Sequence, residues 1–457
     1  MNNCGFSELS GSRNIICGLG RSNEALVSFL DKQGAMTFVS DKRKSENEIT
    51  EVLQRLGIKN GVAVPYGSYP KADFIYRTPS LRPDSEEITV ATERGAILTS
   101  EVELFFKYAK GKIFGITGSD GKTTTTTVVN EILKQKYGEK HVFCGGNIGI
   151  PLISFIKSLD NDSITVCELS SFQLMTADKA PSVSAITNIT ENHLDIHKSM
   201  DEYACAKCNI FAYDDCKRLV ISDQALEVVN KYGKKLPNEV IKTALFENGS
   251  GIGLFDGYIT LFGENILRAD SILARGKHNI SNFMTAIGMT YGFADKEQIE
   301  RVARTFKGVA HRIEYVMEKY GVTFYNSSID STPSRTLVTL STFENQSITE
   351  NDSITLILGG YDKNLDYSAL AEYASKKVNN FILLGANAQK IKNALKKHVQ
   401  ELNRIIEVKD LYEAVIASLE VTKRNGTVLL SPASASFDMF ENFEMRGECF
   451  ENIINSI

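Results

Sequence analysis

A chain of 457 residues has room for about three domains at the usual size of roughly 150 residues each. Its 42% hydrophobic and 23% charged residues exclude extended disorder and describe an ordinary globular protein with a large core. Lysine and arginine number 51 against 56 aspartates and glutamates, a formal net charge of −5. That balance argues against a protein that coats nucleic acid, while permitting a local basic pocket.

The first twenty residues show no basic segment followed by an apolar one, so no secretory leader is expected. No apolar run approaches the roughly 20 residues of a membrane helix. Asn14 to Cys17 reads as a strand leading into Gly18-Leu19-Gly20, then a helix with apolar face Ala25, Leu26, Phe29 and Leu30. A Gly34 stop and a second strand, Met36 to Val39, ending at Asp41, complete a βαβ unit. The glycine pair lacks the third glycine of a dinucleotide fingerprint, although Asp41 lies where a ribose is gripped. A nucleotide or phosphate ligand is favoured there over a purely structural turn, and NAD is not the favoured one. A strand at Phe74 to Tyr76 runs into a loop with Pro79 and Pro83. The next block opens at Lys112 to Ile116, with strands at Ile164 to Leu169 and Val183 to Ile189. A third opens near Gly321, with strands at Ile354 to Leu358, Phe381 to Leu384 and Val428 to Leu430. Short β-rich runs alternating with helical periods predict parallel α/β sheets. Three α/β domains are expected, over residues 1–108, 109–308 and 309–457, with hinges near Gly111 and residues 308–311.

The sharpest motif is Thr117-Gly118-Ser119-Asp120-Gly121-Lys122-Thr123, between a predicted strand and a helix with apolar face Val128, Val129, Ile132 and Leu133. Glycines let the backbone curl so that its N–H groups and the helix N-terminus face an anion. Lys122 would reach β- and γ-phosphates and the Thr123 hydroxyl would ligate Mg²⁺. The spacing departs from the usual phosphate loop at Ile116, where that pattern has glycine. Beyond it, Glu168 closes one strand, and His193 and Asp195 follow another. Ligand groups gather beyond the carboxyl ends of parallel strands, so Glu168 and His193 are candidates to hold a cation beside the transferred phosphate.

Ser199 and Glu202 form a capping-box pattern that predicts a helix start. On that helix Tyr203, Lys207, Ile210 and Phe211 share one face. Spacing alone favours a snorkelling Lys207 whose ammonium reaches water. Cys205 and Cys208, two of eight cysteines, make a lone CxxC, better read as half-buried thiols than as a zinc site. A reducing, cytoplasmic setting is expected.

The segments TGSDGKTTT, GGNIGIP, ELSSFQL, TNITENHLDIH, the lysine of CAKC, GKHNISN and VAHRIE together resemble the Mur ligases of peptidoglycan synthesis, in order and over essentially the whole chain. SPASASFDMFENFEMRGECF, Ser431 to Phe450, is similar to the branch that adds D-glutamate. The resemblance implies a Rossmann-like N-terminal domain for a uridine nucleotide, a central P-loop ATPase domain and a Rossmann-like C-terminal domain for the amino acid. It implies ATP and Mg²⁺, with UDP-N-acetylmuramoyl-L-alanine and D-glutamate joined through an acyl phosphate, and a monomer without nucleic-acid or membrane partners. Gly118 to Thr123 with Thr124, and Asn279, Asn282 and Arg312, correspond to nucleotide contacts. Ser22, Asp41 and Asn147 correspond to the uridine-linked substrate, and Ser331, Lys363, Ser436 and Phe443 to D-glutamate. Thr123, Glu168, His193 and Lys207 correspond to the metal set, Lys122, His193 and Lys207 to the catalytic one. Lys207 is expected as a carbamate, which reverses the snorkelling reading.

Three positions depart from the pattern. Ser327 replaces an aspartate in Asn326-Ser327-Ser328, and Asp330 is left as an open substitute. Ile329 stands where some members place a lysine. Ser80 replaces a glycine in the first domain. The alternatives are a ligase of this type for another amino acid, a P-loop phosphotransferase or NTPase without amide formation, and a non-catalytic uridine-nucleotide sensor.

Overall fold

In a computed structural model the protein is described over residues 6–191, 196–232, 234–245, 251–274, 276–343 and 353–457. Among these residues the strands form three sheets. The first contains β1 (Arg13–Cys17), β2 (Met36–Ser40), β3 (Gly61–Ala63), β4 (Phe74–Arg77) and β5 (Ile97–Thr99), in the order β3-β2-β1-β4-β5. Every pair in it is parallel. The second contains β6 (Lys112–Thr117), β7 (Val142–Gly146), β8 (Ile164–Glu168), β9 (Val183–Ile186), β10 (Arg218–Ser222) and β11 (Glu239–Thr243). It continues through β12 (Ile252–Phe255), β13 (Tyr258–Leu261) and β14 (Glu264–Arg268). Its order is β14-β13-β12-β11-β10-β9-β6-β8-β7, and β13 and β14 are antiparallel additions to a parallel body. The third contains β15 (Glu314–Lys319), β16 (Val322–Asn326), β17 (Ile354–Leu358), β18 (Asn380–Leu383), β19 (Ile405–Glu407) and β20 (Thr427–Leu430), in the order β15-β16-β20-β17-β18-β19.

The chain divides into two compact units, Met1–Ala269 with Ile280–Val302, and Asp270–Asn279 with Ala303–Ile457. The first holds two sheets because their helices share one core. Leu26 and Leu30 of the helix Arg21–Lys32, Phe105 of Glu101–Tyr108, and Ile153 and Ile156 of the turn Leu152–Ser158 are buried in it. Phe105 meets Phe155 edge-on at 5.8 Å. Each such large apolar side chain contributes about 1.5–3 kcal/mol when fully buried. Gly111, expected at a hinge, therefore lies within one unit, and its φ of 80° faces the Ser163 carbonyl. The third sheet buries separate cores on its two faces, one around Tyr325, Leu356 and Phe381, the other around Phe324, Ile382 and Phe450.

The helix after the phosphate loop, Lys122–Tyr137, begins with a run of threonines, which are β-branched and weak helix formers. Tertiary packing overrides that preference, since Val128, Val129, Ile132 and Leu133 have no exposed surface.

Candidate active site

The phosphate loop joins the end of β6 to the helix Lys122–Tyr137. Gly121 is the helix N-cap at φ 77°, and a Cβ there would stand 2.3 Å from Asn282 Oδ1. A Cβ on Gly118 would stand 1.9 Å from Thr187 Oγ1. Both glycines are thus fixed by crowding as well as by backbone angle. The segment after β9 holds the loop in place. Ser119 N–H donates to the Asn188 carbonyl at 3.0 Å, Asp120 N–H to Asn188 Oδ1 at 2.9 Å, and Thr187 Oγ1 to the Asp120 carbonyl at 2.6 Å. Ser119 Oγ donates to the Thr190 carbonyl at 3.0 Å and lies 2.8 Å from the Tyr203 hydroxyl. Lys122 Nζ curls over the carbonyls of Gly118 and Ser119, at 3.0 and 2.8 Å. His193 and Asp195, expected from this segment, lie outside the described residues, and Thr187 and Asn188, which open the same segment with no role expected of them, act as the loop clamps. A Gly121→Ala substitution adds about 1–2 kcal/mol of left-handed strain to the collision with Asn282. ATP affinity measured by titration calorimetry is expected to fall about tenfold or more.

Glu168 ends β8 with 2% of its surface exposed. Its Oε2 accepts from Thr123 Oγ1 at 2.8 Å and its Oε1 from Asn147 Nδ2 at 2.7 Å. Hydroxyl and carboxylate oxygens thus converge at the first turn of the phosphate-loop helix, the donor chemistry suited to a hard divalent cation. Asn147, expected beside the uridine-linked substrate, is set against this carboxylate and orients it.

Lys207 lies on the helix Met200–Cys208 and is 1% exposed, which overturns the snorkelling alternative. Its Nζ donates to the Gly118 carbonyl at 2.6 Å and sits 4.5 Å from the centre of the Tyr203 ring. Burial, and then the positive charge of Lys122, hold its pKa well below the usual 10.5 against the opposing pull of Asp120 and Glu168. Desolvation penalises the charged form, so this amine is neutral far more readily than a surface lysine. The helix starts as expected, with Ser199 Oγ accepting from Glu202 N–H at 3.1 Å, but the reciprocal half of the capping box is missing. Glu202 Oε2 instead accepts from Lys198 N–H at 2.7 Å, and the carboxylate pairs with Arg82. Of the CxxC pair, Cys205 is half-buried and Cys208 buried, both as free thiols.

At the carboxyl edge of the first sheet, Asp41 accepts from the N–H groups of Leu19 at 2.7 Å and Arg43 at 2.8 Å. It thereby closes the turn over Gly18-Leu19-Gly20. Ser22, half-buried, borders a small pocket with Asn23, Arg77, Pro79, Ser100 and Gln173. Asn282 approaches Thr125 Oγ1 at 3.4 Å under the phosphate loop.

In the second unit Asn279 is buried and Arg312 exposed. Ser331 follows the loop Ser327–Asp330, Lys363 Nζ stands 5.8 Å from the Phe437 ring, and Ser436 is buried. Phe443 meets His311 edge-on at 6.2 Å. Asp330, left open as a substitute for the absent aspartate, is turned inward. It is 5% exposed, and its Oδ2 accepts from Thr339 and Ser431 hydroxyls, each at 2.7 Å, while Ser327 Oγ accepts from Ile313 N–H at 3.2 Å.

A residue absent from the sequence reading organises this region. Arg446, 1% exposed, donates to Ser328 Oγ at 2.9 Å and to the carbonyls of Ser328, Ser434 and Ala435 at 2.8, 3.0 and 3.2 Å. Ser328 Oγ in turn donates to the Phe443 carbonyl at 2.8 Å. One guanidinium therefore ties the loop after β16, the loop after β20 and the helix Phe443–Ser456. Its only advance signal was an arginine inside the motif FENFEMRGECF. Arg446→Lys is expected to destabilise the protein by at least about 2 kcal/mol, because an ammonium cannot fill the guanidinium fork. Denaturant unfolding checks it.

Fold and loop together define a phosphate-loop α/β protein, with the Glu168 carboxylate hydrogen-bonded to the first turn of the loop helix. Residues 116–290 match the Mur ligase middle domain, and residues 311–434 match the Mur ligase glutamate ligase domain. The chain is 40% identical over 449 residues to the UDP-N-acetylmuramoylalanine–D-glutamate ligase of Clostridium botulinum (strain 657 / Type Ba4), covering 97% of this chain and 96% of that one. It is 42% identical over 452 residues to the same-named ligase of Clostridium kluyveri, with the same coverage. The UDP-N-acetylmuramate-alanine ligase MurC of Thermotoga maritima has the same fold at a TM-score of 0.57 and 19% identity, covering 97% of this chain and 99% of that one. MurF of Acinetobacter baumannii also scores 0.57, at 14% identity and 96% and 93% coverage. The chain belongs to the Mur ligase family.

Proposed function

We propose that the protein is an ATP-dependent ligase that joins D-glutamate to UDP-N-acetylmuramoyl-L-alanine in peptidoglycan precursor synthesis. The observation that carries this reading is the 40% identity across nearly the full chain to proteins named for that reaction. The geometry around the phosphate loop supports it.

The substrate carboxylate attacks the γ-phosphorus of ATP, ADP leaves, and an acyl phosphate forms. The amine of D-glutamate then attacks the carbonyl carbon, phosphate leaves, and the amine loses a proton. A carboxylate and a triphosphate repel, so the site must supply positive charge where they meet. Lys122 supplies it from the loop. Thr123 and Glu168, joined by a hydrogen bond, would hold a Mg²⁺ ion, and the family resemblance adds Lys207 and His193 to that set. When bound, that ion neutralises phosphate charge. Burial favours the uncharged form of the Lys207 amine, and in that form it would add to CO₂ with loss of a proton, becoming a carbamate whose oxygens match a hard cation. Asn147 keeps the Glu168 carboxylate aimed.

The same reading assigns residues 1–108 to the uridine nucleotide through Ser22, Asp41 and Asn147, and residues 109–308 to ATP, with Asn279 and Asn282 on the adenine side. Residues 309–457 take D-glutamate through Ser331, Lys363, Ser436 and Phe443, with Arg312 facing the nucleotide. Among the described residues no helix is long and apolar enough to cross a membrane, and we place the reaction in the cytoplasm. The test is a substrate panel with ATP, Mg²⁺, UDP-N-acetylmuramoyl-L-alanine and single amino acids, with products read by mass. A product only with D-glutamate is expected. Phosphate release indifferent to D-glutamate would instead identify an NTPase.

A further inference from the structure

The loop 78–84, which carries the unusual Ser80, follows β4 at the edge of the first sheet. It packs against the Gly18 turn, where a Cβ on Gly18 would lie 2.7 Å from Thr78 Cγ2. The arginines on either side of Ser80 reach out of this sheet into the second. Arg77, 1% exposed, donates to the Leu81 carbonyl at 2.9 Å, to the Phe172 carbonyl, and to Thr176 Oγ1 at 3.3 Å. Arg82 grips Glu202 with both nitrogens, at 2.7 and 2.9 Å, and donates to the Ile196 carbonyl at 2.7 Å. Asp84 pairs with Arg82 at 2.8 Å and with Lys198.

The elements so gripped lead to the chemistry. Phe172 lies four residues past Glu168 and stacks on His197 at 5.1 Å and 12°. His197 meets the edge of Tyr203 at 5.2 Å, and Tyr203 touches Ser119 of the phosphate loop. Glu202 precedes Tyr203 on the helix that carries Lys207. We propose that Arg82 is a positioning residue that fixes the Lys207 helix and the phosphate loop against the uridine-nucleotide end of the substrate, with Arg77 holding the turn beyond Glu168. This rests on the ligase reading above.

An exposed ion pair would not serve, since such pairs contribute about 0–1 kcal/mol. This one is bidentate, which adds geometric specificity, and its side chains are 22% and 28% exposed. It also draws Glu202 away from the local capping box that its spacing offers. The reaction needs that precision. A substrate anchored at its nucleotide must present its far carboxylate to the γ-phosphate, and a misplacement of about 1 Å costs on the order of a hundredfold in rate.

The experiment compares the parent protein, Arg82→Ala, Arg82→Lys, Glu202→Ala and the exchanged pair Arg82→Glu with Glu202→Arg, with thermal unfolding recorded for each. For Arg82→Ala, kcat/KM for UDP-N-acetylmuramoyl-L-alanine is expected to fall about tenfold, while the KM for D-glutamate and the Kd for ADP stay within about twofold. Arg82→Lys and the exchanged pair are expected to recover part of the loss, and Arg82→Ala is expected to add nothing to Glu202→Ala. A protein carrying both Arg82→Ala and Glu202→Ala completes the cycle, and a fall of less than about twofold in Arg82→Ala, additive losses in that double variant, or loss explained by unfolding alone overturns the proposal. No turnover in the parent protein would sink the ligase reading instead, so the two failures are separable.

Discussion

Lys207→Ala is expected to be nearly inactive in the coupled synthesis assay, with short-chain carboxylates such as acetate or formate restoring part of the rate. The buried amine faces the Gly118 carbonyl and the Tyr203 ring, and truncation leaves a space that a small anion can enter with two oxygens. Burial and the neighbouring Lys122 lower its pKa, which favours the uncharged amine that reaction with CO₂ requires. A purely structural lysine predicts something else. Lys207→Met keeps the side-chain volume and leaves the Gly118 carbonyl with Lys122 as a donor, so it is expected to stay folded in thermal unfolding while remaining inactive. Full activity in Lys207→Ala, or no response to added carboxylate, defeats the carbamate.

Lys122→Ala is the second large effect. Its ammonium is held over the carbonyls of Gly118 and Ser119, ready to move onto phosphate oxygens whose charge grows toward the transition state. Removing one preorganised electrostatic group of this kind lowers kcat by about 10²–10³. The loss should fall mainly on kcat, because the interaction strengthens in the transition state. Steady-state kinetics within threefold of the parent, a shift of only about 0.6 kcal/mol, would remove the phosphate loop from the mechanism.

Both predictions concern residues that the sequence marked by type and position, but their physical state came from packing. The same contrast holds at Asp330. Three residues from Ser327, it was an open substitute for the missing carboxylate, and only the fold shows it turned inward to the Thr339 and Ser431 hydroxyls. Asn147, expected from its motif to meet a substrate, has in the fold a partner that the motif does not show, the Glu168 carboxylate.

The sequence alone determined what local chemistry and period can encode. Alternating β-rich and helical runs specified parallel α/β sheets, and the strands at Asn14, Met36, Lys112, Ile164 and Ile354 lie within a residue or two of the observed ones. The antiparallel hairpin β13–β14 and the short edge strands carried no comparable signal, because their burial patterns include exposed or half-buried positions and lack the continuous apolar run of a central parallel strand. Glycine spacing likewise announced the phosphate loop, since no other residue fits its angles and crowding. Tertiary structure decided everything that depends on which distant segments meet. It placed Lys207 out of reach of water, gave Arg446 two loops to tie to its helix, and drew Glu202 from its own helix cap to Arg82. Those outcomes turn on burial and on partners up to 120 residues apart, and a local pattern contains neither.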